Sequence, residues 1–209
     1  MANKKGTGVA IIRADVPPEH VAEFNRRWNE ELLAETLVIP GVLSGARYEA
    51  VKGGPKHMTV YELAEPFDIM GASISFDDAL GVYNRRYNVY GMIHPSGLSD
   101  GIANSGMADY LQMSRMDVPA AGESAWNAWY SDIYVPNNEK VPGCIRGRRL
   151  KATLGEPRYA TIYDLENEHV SASPAWAGQW DAHPDNDRMR ELMTLAEGSP
   201  GIWRKTYQL

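Results

Sequence analysis

The chain repeats itself. Moved along by 102 positions, Arg13-Ala14-Asp15-Val16-Pro17 falls on Arg115-Met116-Asp117-Val118-Pro119, Pro40-Gly41 on Pro142-Gly143, Gly45 on Gly147 and Arg47 on Arg149. Gly53 and Pro55 fall on Gly155 and Pro157, and Thr59, Tyr61 and Leu63 on Thr161, Tyr163 and Leu165. Trp28 meets Trp129 if the helix between is allowed a gap of one residue. A single offset that matches Gly, Pro, Arg and Tyr in order over about fifty residues is the mark of an internal repeat. Two copies are too few for a solenoid. The expectation is therefore two halves that pack on each other.

One unit reads as follows. Val9 to Arg13 is a short apolar strand that runs into Asp15-Val16-Pro17, where a carboxylate can accept from free amides and a proline suits the first helical turn. Val21, Phe24, Trp28 and Leu32 recur at helical spacing, and Pro40-Gly41 stops the helix. Val42 to Val51 and His57 to Leu63 form a hairpin about the turn Gly53-Gly54-Pro55. Pro66 to Arg86 is less regular and partly helical, and Asn88 to Ile93 supplies a fourth strand.

The second unit repeats the order. Its parts are a strand from Ala108 to Arg115, a helix marked by Ala125, Trp129 and Ile133, and a hairpin of Cys144 to Ala152 with Arg158 to Leu165. A late helix follows, marked by Met189, Leu192, Met193 and Ala196 and capped by Asp185, and the closing strand is Gly201 to Leu209. The order βαββαβ gives a four-stranded antiparallel sheet with its helices on one face. The bare face must be covered, and two such sheets cover each other. The expected fold is α+β: two tandem ferredoxin-like βαββαβ units packed sheet to sheet as an α/β barrel. Residues 1–94 form the first unit, 95–107 a Gly-, Ser- and Asn-rich linker, and 108–209 the second.

Composition removes several function classes. With 21 basic and 27 acidic residues the net charge is −6, which gives no attraction to nucleic acid or an anionic membrane. No apolar run approaches the ~20 residues that span a bilayer, and Val9 to Ile12 is too short for a signal peptide. Cys144 is the one cysteine, so no intrachain disulfide forms, and a reducing, cytoplasmic setting is expected. Cys144 itself reads as a small hydrophobe opening a strand, with a nucleophile as the alternative. The five histidines make no metal signature, and no dinucleotide fingerprint, phosphate-binding loop or nucleophile elbow is present.

The helix segment Trp129-Tyr130-Ser131-Asp132-Ile133-Tyr134-Val135-Pro136, with Pro142-Gly143, Arg148-Arg149, the turn before Pro157 and Tyr163-Asp164-Leu165, resembles the dimeric α/β-barrel proteins. The likeness is to the EthD-like and antibiotic-biosynthesis-monooxygenase-like branches. The first half carries Trp28, Pro40-Gly41, Arg47-Tyr48 and Tyr61-Glu62-Leu63. Members of that superfamily are usually small chains that pair to make the barrel, so here a fused pair would make it in one chain. EthD-like relatives often place a histidine before the Ile-Pro or Leu-Pro of the first helix. Tyr134 and Leu33 stand there in this chain, so a mechanism resting on that histidine is not carried over.

Two sets of residues are candidates for chemistry. Ala10 and Ile12 in the first strand correspond to Gln112 and Ser114 in the second half, so one strand face changes from apolar to polar. A buried polar face needs a ligand or a hydrogen-bond network. Gln112, Ser114, Arg149, Tyr163 and Trp176 are therefore candidate substrate-binding residues. The alternative is packing: Gln112 bonded to Tyr163 or Arg149, and Arg149 salt-bridged to Asp117 or Asp164. His169 and His183 flank Trp176 and Trp180, and with Tyr134 they are the candidate catalytic groups, set against an aromatic cluster that merely covers a loop.

The function expected is a cofactor-independent enzyme acting by proton transfer on a hydrophobic, aromatic or ketone-bearing small molecule. Lyase, isomerase, cyclase and monooxygenase reactions all fit. The alternatives are a non-catalytic small-molecule-binding or stress-related barrel and a haem-binding barrel with His169 or His183 as axial ligand. No metal, nucleic-acid or membrane partner is expected, and the outer helical faces leave a homodimer open.

Overall fold

The computed structural model describes residues 4–69 and 78–209. Strand β1 (Gly8–Asp15) leads through a single 3₁₀ turn into helix α1 (21–37), and β2 (Val42–Lys52), β3 (His57–Leu63) and β4 (Tyr83–His94) follow. A short helix α2 (Asp100–Ala103) lies in the connection. Then come β5 (Tyr110–Asp117), helix α3 (123–139), β6 (Cys144–Leu154), β7 (Tyr159–Leu165), α4 (Pro174–Gly178), α5 (Asn186–Glu191), a two-residue β8 (Thr194–Leu195) and β9 (Gly201–Gln208). The helical content expected between Pro66 and Arg86 falls partly outside the described residues; the turn Asp78–Leu80 is 3₁₀.

All strand pairs are antiparallel, in the order β7-β6-β4-β1-β3-β2-β9-β5, and β5 pairs back onto β7. The result is an α+β fold around a closed eight-strand barrel. Closure uses β2 against β9 and β4 against β6. Going round the ring, β1 and β5 are four strands apart in either direction and so face each other across it.

Strands β1, β3 and β7 are buried on both faces, and alternation divides the barrel's buried residues between two cores. Val9 and Ile11 of β1, Met58 and Val60 of β3, Leu111 and Met113 of β5, and Ala160 and Ile162 of β7 point inward with Tyr48, Tyr90 and Trp203. Ala10, Ile12 and Ala14 point outward beneath Phe24, Trp28 and Leu33 of α1. In the second half the outward layer is Met116, Tyr159, Tyr163 and Leu165 under Trp126, Trp129, Tyr130, Tyr134 and Val135 of α3.

Both long helices contain a π turn, Trp28–Leu32 in α1 and Tyr130–Tyr134 in α3. A π turn adds one residue to the helical repeat and shifts everything after it. The buried stripe of α1 therefore resumes at Leu33, not at the Leu32 that regular spacing predicts, and Leu32 is only half-buried. In α3 the inward face is Trp126, Tyr130 and Tyr134; of the expected markers Ala125 is exposed and Ile133 half-buried. Since the two π turns are themselves 102 residues apart, the offset runs through the helix without a gap: Phe24 matches Trp126 and Trp28 matches Tyr130. The late helix also differs from expectation. It stops at Glu191, and Asp185 makes no capping bond but accepts from Arg188.

Candidate functional site

The barrel interior is stratified. Its middle is apolar. One end holds an ion cluster: Arg148 donates to both carboxylate oxygens of Glu62 at 2.9 Å, and Arg146 donates to Asp164 at 2.7 Å. Burial alone would lower the Arg148 guanidinium, but Glu62 and Asp164 more than offset it. Lys5 closes that end by donating to the Ser105 hydroxyl and to the carbonyls of Ser105 and Gly106. Burial and the neighbouring Arg146 bring its ammonium down to about 8. A cavity of about 370 Å³ lies against Arg146 and Asp164.

The other end opens into a larger cavity of about 780 Å³. Its mouth is framed by the hairpin turns at Gly53-Gly54-Pro55 and Glu156-Pro157 and by the 196–198 loop. Gly53 and Gly155 hold positive φ (+83° and +84°), and a Cβ on either would meet a backbone carbonyl oxygen at 2.5 Å, so both turns require glycine. Asp15 and Asp117 pin these turns in matching fashion. Asp15 Oδ1 accepts from the Lys56 amide at 2.7 Å, and Asp117 Oδ1 from the Arg158 amide at 2.8 Å.

Arg13 and Arg115 reach into this cavity from the facing strands β1 and β5. Parity places them there: 9, 11 and 13 share one strand face, as do 111, 113 and 115. Arg13 is 1% exposed and Arg115 5%. Arg13 Nη2 donates to Asn88 Oδ1 at 3.1 Å, while its Nε and Nη1 have no partner among the described residues. Arg115 Nη2 donates to the Glu197 carbonyl at 2.7 Å, while its Nε has none. Burial, then mutual repulsion with Arg115, lowers Arg13 to about 10. Tyr90 is near enough to feel both charges; its hydroxyl is buried without a partner among the described residues, and burial pushes it up to about 12 against the pull of the two arginines. The arrangement is a pair of converging cations suited to hold an oxyanion, with the Tyr90 phenol buried nearby but outside the cavity lining.

The residues singled out from sequence occupy a different place, the layer between the sheet and α3. Gln112 is buried there with Oε1 unpartnered among the described residues, and Ser114 is half-buried. Neither of the two cavities is lined by them. Arg149 is not paired with Asp117 or Asp164. It donates to Asn127 Oδ1 at 2.6 Å, to the Asn127 carbonyl and to Ser131 Oγ, and it lies 4.7 and 4.6 Å from the ring centres of Trp126 and Tyr130. Arg47 does the same with Asn25, Asn29, Phe24 and Trp28. Both arginines are clamps that fasten a helix to the sheet.

Asn138 ties Tyr134 to Tyr163, donating to the carbonyl of the first and the hydroxyl of the second. Trp176 packs edge-on to Tyr163 at 4.9 Å. The two histidines stand outside this cluster. The His169 side chain is 84% exposed, and His183 Nδ1 accepts from the Asp185 amide. Cys144 is half-buried, and burial pushes its thiol up to about 12, which keeps it protonated.

Arg13 and Arg115 were visible in the sequence as a matched pair. The missing signal was the face they share with Val9, Ile11, Leu111 and Met113: a charge at the end of an inward-pointing apolar row.

No protein-family model matches the chain, and no curated protein does. Solved structures do. An anthrone oxidase-like protein is 13% identical, with 99% of this chain and 94% of that chain covered at a TM-score of 0.65. A putative monooxygenase from Fusobacterium nucleatum is 8% identical, covering 97% and 94% at 0.60. A haem-binding protein from Thermus thermophilus is 13% identical, covering 97% and 92% at 0.57. At such identities the likeness shows the fold alone, and that fold is the α+β barrel of monooxygenase-like and related ferredoxin-fold proteins.

Proposed function

We propose that the chain is a fused pair of ferredoxin-like units, 1–94 and 108–209, whose barrel binds a small molecule bearing an oxyanion at the Arg13–Arg115 mouth. The observation that carries the reading is the pair of buried guanidinium groups on facing strands, Arg13 with Nε and Nη1 and Arg115 with Nε unpartnered among the described residues, at a cavity of about 780 Å³. Buried charge without a counter-charge is costly, and an anionic ligand supplies what the chain does not. The test is a thermal-shift screen of carboxylate-bearing and neutral aromatic compounds on the wild type and on Arg13→Met. Stabilisation by carboxylates that vanishes in the variant supports the reading. Stabilisation by neutral aromatics alone, unchanged in the variant, rejects it.

Tyr90, buried close to the two arginines but outside the cavity lining, favours a second, catalytic reading. Its phenol stays protonated at neutral pH, so a ketone-bearing substrate that reaches past the two arginines would meet a donor for a developing enolate oxygen. With a carboxylate of the cavity wall, Asp15 or Asp117, taking the carbon-bound proton, such cofactor-independent chemistry would show as deuterium uptake next to the carbonyl, slowed in Tyr90→Phe. Haem does not fit the residues present. None of the five histidines lines either cavity, and His169 is turned to solvent.

A further inference from the structure

The buried arginines of this chain differ in how their charge is answered. Arg148 has the Glu62 carboxylate and Arg146 has Asp164. Arg47 and Arg149 lie against aromatic rings, inside clamps of asparagine and serine. Arg13 and Arg115 have neither a carboxylate within ion-pair distance nor a ring stacked against them among the described residues, and they face each other. The four carboxylates of the cavity lining do not pair with them: Asp15 and Asp117 accept from the turn backbones, and Glu156 and Glu197 are exposed at the rim. The inner wall of the mouth thus carries two buried positive charges, brought in by matching residues of β1 and β5, while Lys56 and Arg86 are exposed at its rim with the glutamates.

We infer that the mouth selects a dianion over a monoanion: one ligand with two negative charges, one for each arginine. This deepens the oxyanion reading above and rests on it. Two sources share the chemistry. A phosphate group would place both charges on one tetrahedral centre between the arginines, and a short dicarboxylate would give each arginine its own carboxylate. Arg13 offers Nε and Nη1 from one side and Arg115 offers Nε from the other, so the ligand is gripped from two directions. The ring of glycine backbone at Gly53, Gly54 and Gly198 leaves room for it to approach.

The experiment is isothermal titration of the full chain at pH 8 and constant ionic strength with inorganic phosphate, malonate, succinate, glutarate and acetate. The expected result is binding of phosphate or one of the dicarboxylates at least tenfold tighter than acetate. That binding should weaken at least tenfold in Arg13→Met and again in Arg115→Met, and be partly kept in Arg13→Lys. Phosphate ahead of the dicarboxylates identifies a single tetrahedral centre; the reverse order identifies paired carboxylates. Acetate binding as tightly as every dianion, with both methionine variants defective, overturns the dianion inference and leaves the oxyanion site standing. Anion binding that is absent, or indifferent to both substitutions, overturns the site itself.

Discussion

Arg13→Met should make the protein more stable in anion-poor buffer while weakening the proposed anion binding. Burial and the facing Arg115 bring the Arg13 guanidinium down to about 10. A fall of roughly two and a half pH units corresponds to about 3 kcal/mol held against the charged form. Because the depressed value belongs to a base, the penalty is fully present below about pH 10 and disappears only as the pH rises beyond it. Methionine has similar length and no charge. Its one loss is the bond to Asn88, which leaves a buried oxygen unpaired at about 1–2 kcal/mol. The net expectation is a gain of about 1–2 kcal/mol, within the range known for replacing buried ions by apolar residues of like volume. For a chain of this size that raises the melting temperature by roughly 2–8 °C. Urea unfolding of both proteins, with and without phosphate, gives the answer. A loss of more than about 1 kcal/mol in the anion-poor buffer would refute the reasoning, since Arg13 would then be a structural residue whose charge the barrel already satisfies.

Glu62→Ala strips the partner from the buried Arg148 and should cost about 3–5 kcal/mol in chemical denaturation, with Glu62→Gln well below that. Arg149→Lys gives up the planar fork on Asn127 and Ser131 and the contact with Trp126, and a loss of about 2 kcal/mol is expected in the same assay. His57 is buried beside Phe24, and burial followed by the nearby Arg47 lowers it to about 4. The unfolded chain therefore takes up its proton first, and stability present above pH 6.5 is lost as the pH falls toward 4, by up to about 3 kcal/mol. His57→Phe should flatten that acid limb; a limb of unchanged steepness would clear His57. His169→Ala, on a side chain turned to solvent, should change neither melting temperature nor ligand affinity.

Much of the barrel was legible because its strands and turns obey local rules. The Gly53 and Gly155 turns, the Pro-Gly helix stops and the alternating strands stand where the residues demanded them. The phase of the helices was not legible. A π turn leaves no mark in an apolar pattern, so Leu32 and Ile133 were placed on a face the added residue had rotated away. Where the cavities open was not legible for a related reason. Gln112 and Ser114 stood out as polar intrusions, but they lie under α3, where sheet and helix pack closely. Arg13 and Arg115 were read as part of the repeat. Only closure of the ring brings β1 and β5 face to face, and pairings so distant in sequence leave no local trace. Arg149 shows the complement: its role as a clamp follows from Asn127 and Ser131 on α3, not from the carboxylate partner that a buried guanidinium suggests.

The seams that close the ring also govern the order in which the chain can mature. Strand β2 receives its second neighbour only from β9, at the far end of the chain, and β4 must wait for β6. A ribosome adding roughly 5–20 residues per second needs several seconds or more to supply β9 after β2 has emerged. During that interval β2 and β4 are unpaired borders, and Val9, Ile11 and Val60 form a bare apolar floor. The nascent first half is thus a template for any other extended chain, including its own sisters on neighbouring ribosomes. Slowing translation between β4 and β9 should raise the share of aggregated product, and a chaperone that shields strand borders should lower it.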